Sequence, residues 1–303
     1  MKIIIIIFQT LLLIAIAPLI SGIIRKIKNN LRMRKGAGIF QPYSNLAKLF
    51  SKEEVISENT SWIFRAAPFI ILSSVVAALM VVPVIIPEWS FGSMGDFLAV
   101  ILLLALGRFF IALAGLDAGS SFGGMGSSRE MFISSLVEPV ALLAIFAVAV
   151  KTGSTNLKII TGVQPLYPSS VMAAVALFFV AIAETSRLPV DNQETHLELT
   201  MIHEAMVLEY SGRSLAMIEL ASHIKQILFF TLIANVIFPL GMVQDFTFAA
   251  IVLIYFLKLL AISVVISVLE VSTAKLRLFR VVDFLGLGFI LSSIAIILAV
   301  TGF

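Results

Sequence analysis

Residues 97–114 read FLAVILLLALGRFFIALA, an apolar run in which the single charge is Arg108. As a helix it would rise about 27 Å, close to the roughly 30 Å hydrocarbon thickness of a bilayer. Working outward, runs of comparable length lie at 3–20, 63–87, 132–150, 170–186, 225–242, 247–269 and 283–302. Composition agrees: of 303 residues, 60% are hydrophobic and 13% charged, and the mean hydropathy is +1.08, where soluble domains are about half apolar. Continuous stretches such as Ile3–Ile7 and Ile101–Leu106 lack the alternation of a barrel strand. The expected fold is all-α: one polytopic transmembrane domain over 1–303 with about eight transmembrane helices. The first run has only Lys2 ahead of it and its basic cluster, Arg25, Lys26 and Lys28, behind it. That order is the reverse of a secretion signal and reads as a retained span.

The chain has no cysteine, so it supplies no thiolate for an iron–sulfur cluster and no disulfide. Its net charge of +3 is placed by topology rather than spread over a face, which argues against nucleic acid. The connections after spans one, three, five and seven carry 16 of the 21 Lys and Arg, counting Arg65, and the other side carries three. The positive-inside rule then puts the basic connections in the cytoplasm and both termini on the outer side.

Two cytoplasmic connections are long. The first, 21–61, has eight basic and three acidic residues; the fifth, 184–225, has three basic and seven acidic. Opposite signs favour docking on each other or on a shared partner, while the first alone is also suited to contacting lipid headgroups. Within it, Gln41–Glu54 follows a glycine-rich turn, has Pro42 in its first turn, and sets Leu46, Leu49 and Phe50 against Lys48 and Lys52. This is the pattern of a helix lying along the membrane interface.

Ionisable groups at bilayer depth are costly, and they face protein interiors or wet cavities. Arg108, Glu138, Glu184 and Lys258 are such groups, and Glu270 and Asp283 at span ends extend the set. Carboxylates mixed with cations across several spans are what a proton path requires, because each site must change protonation cheaply. A structural ion pair or a snorkelling end group is the plainer reading of Arg108 or Lys258 singly. His203-Glu204 begins a zinc-protease motif, but position 207 is Val, so the second ligand is missing and no metal site is expected. The segment GSSFGGMGSS, 119–128, has neither the strand nor the Gly-Lys-Ser of a phosphate loop and reads as a flexible turn before Arg129.

Three segments together resemble the membrane subunit of respiratory complex I that adjoins its quinone cavity, and the corresponding subunit of energy-converting hydrogenases. They are RKGAGIFQPYSNLAKLFSKE (34–53), GSSREMFISSLVEP (126–139), and AETSRLPVD (183–191) followed by EYSG (209–212). They occur in order among the spans and cover essentially the whole chain. Before the last span, KLRLFRVVDFLG keeps Arg280 and Asp283 but not the tyrosine usual in complex I. With DNQETHLELTMIHEAMVLEYSG ahead of that segment, the chain is most similar to the formate hydrogenlyase and group 4 nickel–iron hydrogenase branch, in which no quinone pocket is needed.

The resemblance implies a cell-membrane subunit of a prokaryote that anchors a cytoplasmic redox arm and couples it to ion translocation. Iron–sulfur clusters and a nickel–iron centre would reside in partners: hydrogenase large and small subunits, with antiporter-like membrane subunits alongside. Coupling would fall to Glu138, Glu184, Arg187, Asp191 and Glu209, with Arg129 as their partner. Docking would use Arg34, Lys35, Gln41, Pro42, Lys48, Lys52, Glu194, Glu198, His203, Glu204, Tyr210 and Arg213. A quinone-site subunit of complex I proper is the alternative, and a free-standing carrier a third reading.

Overall fold

An apolar run in lipid must satisfy its own backbone N–H and C=O groups, and a helix does so within one segment. The computed structural model describes residues 2–84, 95–162, 167–191, 201–239 and 247–302. Its elements are α1 (Lys2–Leu31), α2 (Gln41–Ser51), α3 (Trp62–Val81), α4 (Phe97–Asp117), α5 (Ser121–Thr152), α6 (Leu157–Ile160), α7 (Pro168–Glu184), α8 (His203–Val207), α9 (Gly212–Ile237), α10 (Phe248–Ser272) and α11 (Leu278–Thr301). Among the described residues seven helices, namely α1, α3, α4, α5, α9, α10 and α11, are long and apolar enough to cross a membrane. The eighth apolar helix, α7, has 17 residues, at the lower edge of the roughly 17–25 that suffice. The chain is a multi-pass helical membrane protein.

Several helices outrun their apolar stretches. α1 continues to Leu31 and α9 begins at Gly212, beyond the expected spans 3–20 and 225–242. The polar residues in these extensions, such as Ser21, Lys28 and Ser214, are buried against other helices, so hydropathy alone does not mark them. α9 is the central post, with 72% of its apolar window buried against 28% for α10 and α11. Around it α3 packs on α4, α11 on α5 and α7, and α1 on α10. The interfacial helix forms over Gln41–Ser51 with Pro42 and Leu46 buried and Phe50 exposed.

The stretch 119–128 corrects the expectation of a flexible turn. The turn is confined to Gly119, at φ +65°, and Ser120 caps α5, its hydroxyl accepting from the Gly123 amide at 3.1 Å. From Ser121 onward the segment is helical. Its glycines let helices touch: a Cβ on Gly123 would lie 2.2 Å from the Gly115 carbonyl oxygen, and one on Gly126 would lie 2.9 Å from the Ala205 Cβ. Gly123→Ala is therefore expected to cost about 1–3 kcal/mol through overpacking. Gly124→Ala, which meets nothing within 4 Å, is expected to leave stability unchanged or slightly raised. Equal melting temperatures for the two variants would refute the close-contact explanation.

The two long connections meet. Among the described residues the contacts include Ser211 Oγ with the Val55 carbonyl and amide at 3.0 and 2.9 Å, a Ser214–Glu54 hydrogen bond and Ser21 with His223 at 2.8 Å. Gly212 sits at φ +49° against the Glu53 carbonyl, so a side chain there would meet both backbone strain and a clash.

Candidate functional site

Charge inside the bundle gathers into connected clusters. In the first, Arg108 from α4 reaches Glu184 at the end of α7 (Nη1 to Oε1, 2.5 Å) and Glu138 on α5 (Nη2 to Oε1, 2.8 Å). Lys225 of α9 closes on the other Glu184 oxygen at 2.6 Å. Arg108 is 6% and Glu184 8% exposed, so their charges are balanced by ion pairs rather than by water. Glu138 is the open end, its side chain 41% exposed. Four helices thus supply a row ordered Glu138, Arg108, Glu184, Lys225. Beside it lies a cavity of about 50 Å³ lined by Arg108, Glu130, Glu184, His203, Ser222 and Lys225, above the roughly 10–15 Å³ that a single water needs. Arg108 Nε is buried without a hydrogen-bond partner among the described residues.

The second cluster centres on Glu270 of α10, which is 3% exposed. Its oxygens take Arg187 Nη1 and Lys28 Nζ, each at 2.7 Å. Arg187 Nη2 also donates to Gln226 Oε1 at 2.8 Å, and the Ser21 hydroxyl donates to the same oxygen at 2.7 Å. Because the Ser21 proton is so used, His223 Nδ1, 2.8 Å from Ser21 Oγ, must be the donor in that contact. A third group forms around Asp191, 1% exposed. One oxygen pairs with Lys275 at 2.6 Å, and the other accepts the Ile202 and His203 amides at 3.2 and 3.1 Å. Asp191 thereby ties the 185–191 segment to the start of α8, and the Leu276 amide adds a bond to the Pro189 carbonyl at 2.9 Å.

The clusters are linked through the chain itself. Lys225 and Gln226 are consecutive on α9, and Glu184 and Arg187 share one short segment, so each of the first two clusters has members on both.

Of the residues singled out by sequence, Arg108, Glu138 and Glu184 converge in one cluster, Arg187 and Glu270 in another, and Asp191 anchors the third. Others stand apart. Arg129 donates to the Met201 carbonyl at 3.0 Å rather than to a carboxylate. Lys258 donates to the Phe238 carbonyl at 2.7 Å, at the end of α9. Asp283 and Glu209 are exposed and join no cluster among the described residues.

For the docking set, Arg34, Lys35, Lys48, Lys52 and Arg213 are exposed, Pro42 is buried, and Gln41 bonds Asn45 at 2.9 Å. His203 and Glu204 are half-buried, and burial pushes the His203 imidazole below its ordinary range. Tyr210 turns inward: its ring stacks on Phe64 at 4.0 Å and its hydroxyl donates to the Phe64 carbonyl at 2.9 Å. Glu194 and Glu198 lie outside the described residues.

Sequence reasoning does not single out Lys28, Lys225, Lys275, Gln226 or Glu130. By sequence the lysines read as topogenic charge in the connections; only their buried carboxylate partners distinguish them. Glu130 lines the 50 Å³ cavity with no direct ion pair among the described residues, and its one sequence signal is a place beside Arg129.

Residues 1–301 match the family described as NADH dehydrogenase. The chain is similar to hydrogenase-4 component C of Escherichia coli (strain K12), at 34% identity over 97% of this chain and 95% of that one. Formate hydrogenlyase subunit 4 of the same organism is 34% identical, over 89% and 90% of the two chains. NADH-quinone oxidoreductase subunit 8 of Rhodothermus marinus is 29% identical, over 71% and 66%. In fold, the chain resembles one from the membrane-bound sulfane sulfur reductase, an archaeal respiratory membrane complex, with a TM-score of 0.82, 20% identity, and coverage of 97% and 99%.

Proposed function

The chain belongs to the NADH dehydrogenase family, and from that premise we propose that it is the membrane-anchor and ion-coupling subunit of an energy-converting hydrogenase complex of the formate hydrogenlyase type. The observation that carries the coupling role is the row Glu138, Arg108, Glu184, Lys225, which runs from an exposed carboxylate into the bundle across four helices and abuts a cavity large enough for water. The choice of hydrogenase over quinone reductase rests on 34% identity along nearly the full length of hydrogenase-4 component C and formate hydrogenlyase subunit 4, against 29% over a shorter stretch for the quinone-linked relative.

In this reading the complex sits in the cell membrane of a prokaryote, with the basic end of the bundle in the cytoplasm and both termini outside. Electron transfer takes place in docked hydrogenase large and small subunits, which hold the iron–sulfur clusters and nickel–iron centre; this chain has no cysteine to ligate them. Antiporter-like membrane subunits continue the ion path. Rearrangement at the docked arm shifts the 184–191 segment and the start of α8, which Asp191 ties together. Because Glu184 is held by two cations, Arg108 and Lys225, a small displacement changes which of them neutralises it, and so how readily it takes a proton.

Glu184→Gln in the intact complex is expected to leave hydrogen production from an artificial donor largely intact. Donor-linked ion translocation into vesicles should fall on the order of tenfold or more, as for a lost proton-transfer group. Unchanged translocation would remove Glu184 from the path.

A further inference from the structure

A second cavity, at the basic end of the bundle, is lined by none of the four residues of the ion row. It measures about 290 Å³ and lies between the end of α1, the 185–191 segment and α9. We propose that this cavity binds a phosphate group. Five cationic side chains line it, Arg25, Lys28, Arg32, Arg34 and Arg187, against two carboxylates, Asp191 and Glu270. Both carboxylates are already matched, Glu270 by Lys28 and Arg187 and Asp191 by Lys275, so among the described residues of the wall neither is left to neutralise Arg25 or Arg34. Arg25 and Arg34 are exposed and present guanidinium forks, whose planar geometry suits phosphate oxygens.

A buried donor points the same way. Gln226 is 3% exposed and lines the cavity. Its Oε1 is occupied by Arg187 and Ser21, which fixes the amide orientation and leaves Nε2 buried with no acceptor among the described residues. Arg187 Nε is buried in the same condition. Buried donors of this kind cost free energy unless an acceptor arrives, and phosphate brings both acceptor oxygens and the negative charge that the wall lacks. Ile24 and Leu188 are the sole aliphatic members of the wall among the described residues, so the site offers little to an apolar ring.

The volume sits at the lower end of the roughly 300–1,000 Å³ usual for ligand pockets, enough for a headgroup or a free oxyanion. The depth also fits. The cavity begins at Ser21, where the first apolar run ends and headgroups lie, and basic pockets between helices at that level take anionic lipid headgroups. An anionic phospholipid and a soluble phosphate share the chemistry, and the test separates them.

The intact purified complex is exchanged into nanodiscs of phosphatidylcholine with or without phosphatidylglycerol, and retained lipid is counted by native mass spectrometry. Binding of radiolabelled inorganic phosphate is measured in parallel by equilibrium dialysis. Phosphatidylglycerol retained at one copy per complex identifies the lipid source, and saturable inorganic phosphate alone identifies the soluble one. In either case Arg25→Gln/Arg34→Gln is expected to weaken binding about thirtyfold. Lys26→Gln/Lys35→Gln removes equal charge from neighbouring positions outside the cavity wall and is expected to change it little. Should the arginine variant fail to assemble, a photoreactive phosphatidylglycerol headgroup must crosslink the wild-type complex within 21–34 or 185–191. Binding of neither ligand, equal losses in both double variants, or crosslinks confined elsewhere would each overturn the proposal.

Discussion

Glu270→Leu is expected to destabilise the chain by about 3–5 kcal/mol, because it removes the carboxylate that two largely buried cations share. Lys28 and Arg187 have side chains only 10% and 11% exposed, so water screens them poorly, and both lose their counterion in the same substitution. Thermal unfolding in detergent would read the loss as a lower midpoint. Replacing all three charges, as Lys28→Met/Arg187→Met/Glu270→Leu, should recover much of it, since buried charges exchanged together for apolar groups of similar size are often nearly neutral. A single variant as stable as the wild type would mean that solvent reaches this cluster freely.

Asp191→Ala should be comparably severe but more local. The substitution takes a carboxylate from Lys275 and the acceptor from two backbone amides, Ile202 and His203. Each unsatisfied buried donor costs about 1–3 kcal/mol, and together they hold the 185–191 segment to the start of α8. Hydrogen exchange at Ile202 and His203 should quicken sharply while amides in the middle of α9 keep their protection. Uniform acceleration throughout the bundle would instead assign Asp191 a global role, and no acceleration would show that the two amides have other acceptors.

The spans are legible in the sequence because hydropathy answers one question well: which segments avoid water. It answers poorly which polar residues avoid lipid. Ser21–Leu31 and Gly212–Ile224 read as connection, yet they are helix, their polar groups taken up inside the protein: Ser21 meets His223 across α1 and α9, Lys28 meets Glu270, and Ser214 meets Glu54. The glycines of 119–128 mislead for a related reason. Glycine signals a turn by its backbone freedom, but Gly123 and Gly126 are used for their missing side chains, and sequence does not separate the two uses.

Charged groups at membrane depth are visible one by one. Arg108 stands out because nothing else in 97–114 is charged. Its pairing with Glu138 and Glu184 does not, since they lie 30 and many more residues away, and no periodicity says which helices adjoin. Lys258 illustrates the converse. Isolated in its run, it satisfies itself on the Phe238 carbonyl and leaves the charge clusters alone. The opposite signs of the two long connections correctly suggest that they meet, although the meeting is made largely by backbone and hydroxyls.

The adjacency of Lys225 and Gln226 constrains anyone building hybrids between members of this family. A graft that exchanges the AETSRLPVD loop but keeps the host's α9 would offer Glu184 and Arg187 to mismatched neighbours, and the damage would surface in two places at once. The transplantable module is therefore the loop and the α9 turn bearing Lys225 and Gln226, moved as one cassette with Lys28 and Glu270 as its fasteners.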